Sequence, residues 1–275
     1  MDVLQTSKKG AGLLKSVTRV ISLLLAGSPA WGQCGILTWE QLRPAQRTLP
    51  YVLRLAARTG ELLMFGAQHT RDPQHTELPE LERLWREFRP DIGFSEGGIR
   101  PLVSSRDEAV VRYGEPGLLR FLADRDQVQL RNLEPPEGQE AAWLAPQFEP
   151  GQVKLFYVLR FLNSVSPTDP RAALDSVRRR QGLEGVPNSV NELEMAARGM
   201  LPEFDWRSVP NQWFDPTRSD TFLNAIARRL SDYRNCHMVP LIVEAVRSGK
   251  RVLVVVGGTH VIMQEPALRA ALESR

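Results

Sequence analysis

Short apolar runs alternate with helical patterns along most of this chain. The runs at residues 61–65, 91–95 and 127–131 are bounded by polar or turn-forming residues, which is typical of short strands. The run at residues 251–256 contains four valines and one leucine in succession. Such a β-branched run indicates a strand that is buried on both faces. The pattern therefore predicts four strands.

Apolar residues at helical spacing predict the helices around these strands. Leu78, Leu81, Trp85 and Phe88 recur every three or four residues, so an amphipathic helix is predicted over residues 78–88. Similar spacing predicts helices over residues 50–58, 105–112, 116–124, 152–162, 171–180, 189–198, 219–231, 233–247 and 265–273. The first of these begins with a proline and ends before a glycine, as helices often do.

Strands that alternate with helices predict an α/β fold, with a parallel or mixed central sheet covered by helices. Residues 135–248 form a helix-rich stretch before the last strand, and we expect it to cover the site. No repeat of solenoid period and no low-complexity linker divides the chain. Residues 33–275 are therefore predicted to form a single domain.

The first 32 residues have the pattern of a secretory signal. A short apolar run at residues 20–26 is followed by small residues, and cleavage is expected after Ala30 or Gly32. The basic residues before the run are Lys8, Lys9, Lys15 and Arg19. The run is shorter than the roughly 20 residues of a membrane span. The sequence predicts a secreted or periplasmic protein without a stable membrane span after cleavage; the alternative is an uncleaved membrane anchor.

Removal of this segment changes the charge balance. The whole chain has 35 basic and 32 acidic residues and an isoelectric point near 9.1. Residues 1–32 contain four of the basic and one of the acidic residues, so 31 of each remain. A chain with no net charge lacks the basic surplus of general nucleic-acid-binding proteins, and no nucleic-acid partner is expected.

The chain contains two cysteines, Cys34 and Cys236. In an oxidising compartment they could pair and close a long loop. The other interpretation is a thiol near the mature terminus and a buried, small apolar residue. The sequence does not decide between these two.

Two of the four histidines stand three residues after a glycine that ends an apolar strand. They are His69 in Gly66-x-x-His69 and His260 in Gly257-x-x-His260. Glycine lets the chain leave a strand with backbone angles that other residues avoid. Each imidazole is then expected at the carboxyl edge of the sheet, where α/β folds bind ligands. If the two strands are neighbours, the two turns converge.

A hydrolytic metal ion commonly binds two histidines, one carboxylate and a water molecule. Glu96 ends a strand before two glycines and is the strongest carboxylate candidate, as a ligand or as the general base for the bound water. Glu134 and Asp72 are the other candidates. The cofactor expected here is a divalent ion such as zinc, manganese or cobalt.

Arg234 and Asn235 precede the last strand on a predicted helix. An arginine there is a candidate for stabilising an oxyanion in the site. His237 lies one helical turn away, and a packed or exposed position is expected for it. Isolated arginines of this kind are also common in surface ion pairs.

The order of these motifs resembles the Tiki/TraB superfamily, which includes erythromycin-esterase-like and haem-binding ChaN-like proteins. The resemblance covers roughly residues 60–270, and residues 234–260 are its most specific part. It implies a site of His69, Glu96, Arg234 and His260, and metal-dependent hydrolysis of a peptide, amide or ester bond in a peptide or small-molecule substrate. The residues before the first histidine, Ala67-Gln68, depart from the usual Gly-Thr or Gly-Glu.

Two other functions are compatible with the sequence. Gly93-x-Ser95-x-Gly97 matches the nucleophile elbow of serine hydrolases, and His260 follows in the chain order of a triad. Ser95 would then be the nucleophile. A non-catalytic exported protein that binds haem or another small molecule is the third function, with His75 and Tyr113 as candidate contacts.

Overall fold

The central sheet has five strands in the order β1-β2-β5-β3-β4. In the computed structural model these strands are β1 (Tyr51–Ala56), β2 (Glu61–Ala67), β3 (Ile92–Ser95), β4 (Gln129–Asn132) and β5 (Arg251–Gly257). β1 pairs antiparallel with β2, and the other neighbours pair in parallel. The predicted α/β fold with a mixed sheet is therefore confirmed. The structure describes residues 34–42, 48–164, 170–181, 183, 185–201 and 204–273.

Eight α-helices and one short 3-10 helix, Asn211–Phe214, accompany the sheet in these ranges. The α-helices are α1 (Glu77–Phe88), α2 (Arg106–Arg125), α3 (Gln139–Leu144), α4 (Pro150–Ser164), α5 (Pro170–Gln181), α6 (Val190–Arg198), α7 (Phe222–Arg247) and α8 (Gly258–Leu272). The predicted signal segment, residues 1–32, lies outside the described residues. Across the described ranges, no helix has the length and apolarity needed to span a membrane.

The molecule contains a sheet region and a helical region. The sheet region comprises β1–β5 with α1, α2, α8 and the second half of α7, and its apolar side chains pack on both sheet faces. The helical region comprises α3–α6 and the first half of α7, which bury their own apolar core. The long helix α7 therefore joins the two regions.

The predicted helix over residues 50–58 is wrong, because this segment forms strand β1 and a tight hairpin with β2. Leu53 and Leu55 are buried, whereas Arg54 and Ala56 are exposed. This alternation has the period of two that a half-buried strand requires. The proline at position 50 precedes the strand rather than opening a helix.

Three other helix predictions differ from the structure. The ranges 219–231 and 233–247 form one continuous helix, α7, because Asp232 between them does not end it and the polar residues that follow, Arg234 and Asn235, are buried within the helix. Helix α8 begins at Gly258, directly after β5, rather than near residue 265. The short helix α3 was not predicted.

Cys34 and Cys236 form a disulfide, with their Cα atoms 5.6 Å apart. It joins the segment at residues 34–42 to the middle of α7. The alternative of two unpaired thiols is therefore wrong for this structure. The closed loop is long, since 202 positions separate the two residues.

Candidate functional site at the carboxyl edge of the sheet

The two Gly-x-x-His turns lie side by side. β2 and β5 are adjacent parallel strands, and their last residues, Ala67 and Gly257, are partners in the register. His69 follows β2 in a left-handed backbone conformation, with φ of 66°. His260 lies in the first turn of α8, which continues directly from β5. The parallel register therefore brings together two histidines that are far apart in the sequence.

Glycine at position 257 allows His69 to approach the end of β5. A Cβ atom at this position would lie 2.5 Å from His69 Nε2, so that His69 would have to shift, and 3.6 Å from Glu96 Oε2. Gly257 thus lies between the first histidine and the carboxylate. Gly66 is equally confined, because a Cβ atom there would lie 2.8 Å from the Gly258 Cα.

Glu96 lies between the strand ends and His260. It directly follows β3, the other neighbour of β5, and its backbone N–H donates to the Val255 carbonyl at 3.2 Å. Its Oε2 accepts the N–H of Gly257 at 2.7 Å, and its Oε1 lies 3.4 Å from His260 Nε2. Burial opposes ionisation, but His260, Arg234 and the Gly257 N–H together hold the pKa of Glu96 well below its usual range.

The ring of His260 is oriented by buried amides. Its Nδ1 lies 2.7 Å from Asn235 Oδ1, and the Nε2 amide of Gln264 donates to the same oxygen at 2.8 Å. Because Gln264 also donates to Asn235 Oδ1, this oxygen acts as an acceptor and favours the tautomer of His260 that carries the proton on Nδ1. Nε2 is then the ring nitrogen that faces Glu96 and remains to bind a cation. This arrangement is typical of histidine ligands, whose second nitrogen donates to an oxygen.

Arg234 holds the carboxylates of the site in place. Its Nε donates to Glu134 Oε2 at 2.9 Å, and its Nη2 donates to Glu134 Oε1 and, at 3.1 Å, to Glu96 Oε1. Glu140 lies 3.7 Å away as a third carboxylate. Burial opposes the charge of Arg234, but Glu134, Glu96 and Glu140 raise its pKa above the ordinary value. The guanidinium is therefore engaged by carboxylates, which does not fit the expected oxyanion role.

No protein family model matches the chain, and no curated protein or solved structure matches it either.

Two buried carboxyl groups that were not predicted as site residues hold the loop that carries His69. Glu77 Oε2 accepts the N–H of Gln68 at 3.0 Å, and Glu115 Oε1 accepts the N–H of Thr70 at 2.6 Å. Burial and the neighbouring Glu115 raise the pKa of Glu77 to about 8. The sequence does contain an indication that Glu77 is buried. It lies one helical turn before Leu81 and so falls on the apolar face of α1.

The structure does not bring all candidates into the site. Asp72 is exposed and caps a turn through the Gln74 N–H at 2.9 Å. His75 Nδ1 accepts the Glu77 N–H at 3.4 Å, before α1. Tyr113 lies half-buried on α2, just before its kink.

Two further candidates lie near the site without joining it. Ser95 is buried, and its hydroxyl donates to the Glu96 carbonyl at 3.1 Å. No helix follows it before α2, so it lacks the strand-to-helix turn of a nucleophile elbow. His237 is half-buried on α7; burial lowers its pKa, and Glu134 partly opposes this shift.

The donor set has the chemistry of a transition-metal site, because two imidazoles and an ionised carboxylate are ligands that zinc and its neighbours accept. His260 and Glu96 already face each other. Among the described side chains, no three stand close enough together to hold an ion as they are placed. The His69 side chain is 60% exposed, so it has room to turn towards the other two. The residues therefore fit such an ion once His69 turns inward.

Proposed function

We propose that this chain is an exported, metal-dependent hydrolase of the Tiki/TraB type that cleaves a peptide, amide or ester bond. The observation that supports this most strongly is the parallel pairing of β2 and β5, because it sets the turns that carry His69 and His260 next to each other, close to Glu96. The order of these residues along the chain is also the order that the family resemblance implies.

In this proposal a divalent ion, zinc, manganese or cobalt, is held by His69, Glu96 and His260. When bound, such an ion lowers the pKa of a water molecule and polarises a carbonyl group. Glu96 is assigned to binding the ion rather than to accepting a proton, because a carboxylate with a strongly lowered pKa is a weak base at neutral pH. Arg234 keeps Glu96 ionised and fixes its orientation.

Asn235 has a positioning role in the same scheme. Its Oδ1 keeps the proton of His260 on Nδ1 and thereby leaves Nε2 for the ion. The disulfide between Cys34 and Cys236 supports export, because structural disulfides persist mainly in oxidising compartments. A secreted or periplasmic location is part of the proposal.

The test is an assay of the purified mature protein against fluorogenic peptide amides and aryl esters. Chelation with EDTA should abolish hydrolysis, and added zinc, manganese or cobalt should restore it. His260→Ala should lose the activity, whereas His75→Ala and Ser95→Ala should retain it. Hydrolysis that survives chelation and is lost in Ser95→Ala would support the serine mechanism instead.

Haem binding is tested on the same preparation. A Soret band that appears on addition of haem, together with no chelator-sensitive hydrolysis on any substrate class, would contradict the proposal and favour a binding protein. His75→Ala and Tyr113→Phe would then identify the contacts. A hydrolase of the proposed type gives no band that depends on these two side chains.

A further inference from the structure

Helix α4 presents two polar side chains to a cavity beside the candidate site. The cavity has a volume of about 370 Å³, and Tyr157, Arg160 and Arg234 lie in its wall. Gly97 and Gly98, which follow Glu96, also line it. A Cβ at Gly98 would meet nothing within 4 Å, so this side of the cavity is open space.

Arg160 differs from Arg234 in its partners. Arg234 donates to two carboxylates, whereas Arg160 makes no hydrogen bond or ion pair with any residue that the structure describes. Its guanidinium carbon instead lies 6.0 Å from the centroid of the Phe156 ring. Burial and the charge of Arg234 lower the pKa of Arg160. A partly buried guanidinium in this position gains stability from an anionic partner.

Tyr157 lies one helical turn before Arg160 and supplies a second donor. The residue is 2% exposed, yet its hydroxyl forms no hydrogen bond of ordinary geometry within the described part of the chain. The carboxyl group of Glu140 is near, and burial raises the pKa of that carboxyl. Buried hydroxyl groups normally have a partner, and the Glu140 carboxyl is close enough to act on this one, so a ligand in the cavity would take the Tyr157 donor in place of Glu140.

A smaller cavity of about 170 Å³ is lined by both Arg160 and one candidate metal ligand, His260. Arg160, Arg234 and His260 all lie in its wall, together with the apolar side chains of Phe156 and Phe214. Arg160 therefore reaches both cavities. A group bound by the Arg160 guanidinium in this cavity would therefore lie close to His260, the histidine that is proposed to bind the ion.

We infer that Arg160 and Tyr157 form a subsite for a carboxylate group of the substrate, so that the preferred substrate is a peptide with a carboxylate close to the bond that is cleaved. A planar carboxylate matches the two parallel donors of a guanidinium. Glu134, Glu137 and Glu140 also line the larger cavity and repel any anion there, so binding depends on contact with Arg160, and a singly charged carboxylate is repelled less than a phosphate dianion. The carboxylate belongs either to the peptide C-terminus or to an acidic side chain.

This subsite defines the substrate class of the proposed hydrolase and in that sense rests on the proposed function. Binding of a carboxylate, however, is measurable without catalysis. The experiment therefore uses metal-free protein, titrated calorimetrically with three probes: acetyl-trialanine as the free acid, the same peptide as its C-terminal amide, and acetyl-Ala-Asp-Ala-amide.

Wild-type protein should bind at least one of the two carboxylate peptides about tenfold more tightly than the uncharged amide, as expected for a charge-assisted hydrogen bond. Tighter binding of the free acid identifies the C-terminus as the source, and tighter binding of the aspartate peptide identifies the side chain. Arg160→Met should abolish the preference, and Tyr157→Phe should reduce it. The matched control is Arg171→Met on the exposed face of α5, which should retain it.

Thermal unfolding separates this role from a structural one. Removal of a guanidinium without a partner should leave the unfolding temperature of Arg160→Met unchanged or raise it. A lower unfolding temperature, or equal binding of all three peptides by the wild type, would overturn the subsite. Carboxylate-dependent binding without hydrolysis after metal is added would leave the subsite standing and would reject the proposed function alone.

Discussion

The sheet region and the helical region contribute different things to the candidate site. In the sheet region, hydrogen-bonded register between β2, β5 and β3 fixes the backbone that precedes His69, His260 and Glu96. In the helical region, side chains of α4 line the cavities that reach the same place. In the proposed hydrolase the sheet strands would thus position the metal ligands, and the helices would provide the cavities for a substrate.

Helix α7 shows where the two regions meet. Its first half buries Leu223, Ile226 and Leu230 in the helical core, and its second half buries Ile242 and Val246 in the sheet core. The turn between them carries a buried arginine and a buried asparagine, both of which contact the site. Buried polar residues at this position cost stability unless they are paired, and here their partners are the site residues.

Among the variants considered, substitution of Arg234 should lower the free energy of unfolding most. Arg234→Met leaves the carboxylates of Glu96 and Glu134 buried without their cation, and removal of one partner from a buried ion pair costs about 3–5 kcal/mol. Urea denaturation at pH 7 measures this loss. Arg269→Met, which removes only exposed pairs with Glu265 and Glu273, should cost no more than about 1 kcal/mol. Equal, small losses in both variants would show that the junction does not depend on this arginine.

Loss of the disulfide should cause the next largest decrease in the free energy of unfolding. Cys34→Ala combined with Cys236→Ala frees the segment at residues 34–42 from α7, and removal of a bond that closes a long loop typically costs about 2–5 kcal/mol. Calorimetry of the oxidised protein and the double variant measures the difference. An unchanged unfolding temperature would mean that linking residues 34–42 to α7 does not stabilise the protein.

Asn235 tests whether α7 positions His260. Asn235→Leu removes the acceptor for Nδ1 and should weaken zinc binding by about 10- to 100-fold, the usual effect of removing such a partner. Asn235→Asp retains an oxygen acceptor and should bind zinc at least as tightly as the wild type. Competition with a chromophoric chelator gives both affinities. Similar affinities for the leucine and aspartate variants would remove this role from Asn235.

Glu77 tests the sheet region alone, through the pH dependence of stability. Its pKa is raised from 4.5 to about 8, so the folded protein holds this proton more strongly than the unfolded chain. The stabilisation is complete below about pH 4.5 and is lost as the pH rises through 8. Urea denaturation from pH 5 to pH 9 should show a decline that Glu77→Gln reduces. The exposed Glu87→Gln should retain the full decline, and an equal decline in both variants would contradict the assignment.

Most elements of both regions were predictable from the sequence, and the predicted ranges 152–162, 171–180 and 189–198 match α4, α5 and α6 closely. The strands β2, β3, β4 and β5 were predicted because short apolar runs between turn-forming residues are typical of buried strands. The pairing of the two glycine–histidine turns followed from a single assumption, that their strands are neighbours. β1 was missed because its alternation covers only six residues and begins after a proline that also suits a helix start.

The remaining features depend on contacts that no local pattern encodes. The partners of Arg234 come from residues 96, 134 and 140, and Glu77 meets Glu115 only after α1 and α2 pack on the sheet. Arg160 is one of many arginines on helices in the sequence. Its lack of a carboxylate partner, within the residues that the structure describes, is visible only in three dimensions.

The most direct test of the proposed metal site is elemental analysis of the purified mature protein after reconstitution with zinc, manganese or cobalt. Wild type should hold about one ion per chain, as expected for a single three-ligand site. His69→Ala and His260→Ala should each lose it, whereas His75→Ala and His237→Ala, the other two histidines, should keep it. No bound ion in the wild type, or loss in only one of the first two variants, would contradict a single site built from both turns.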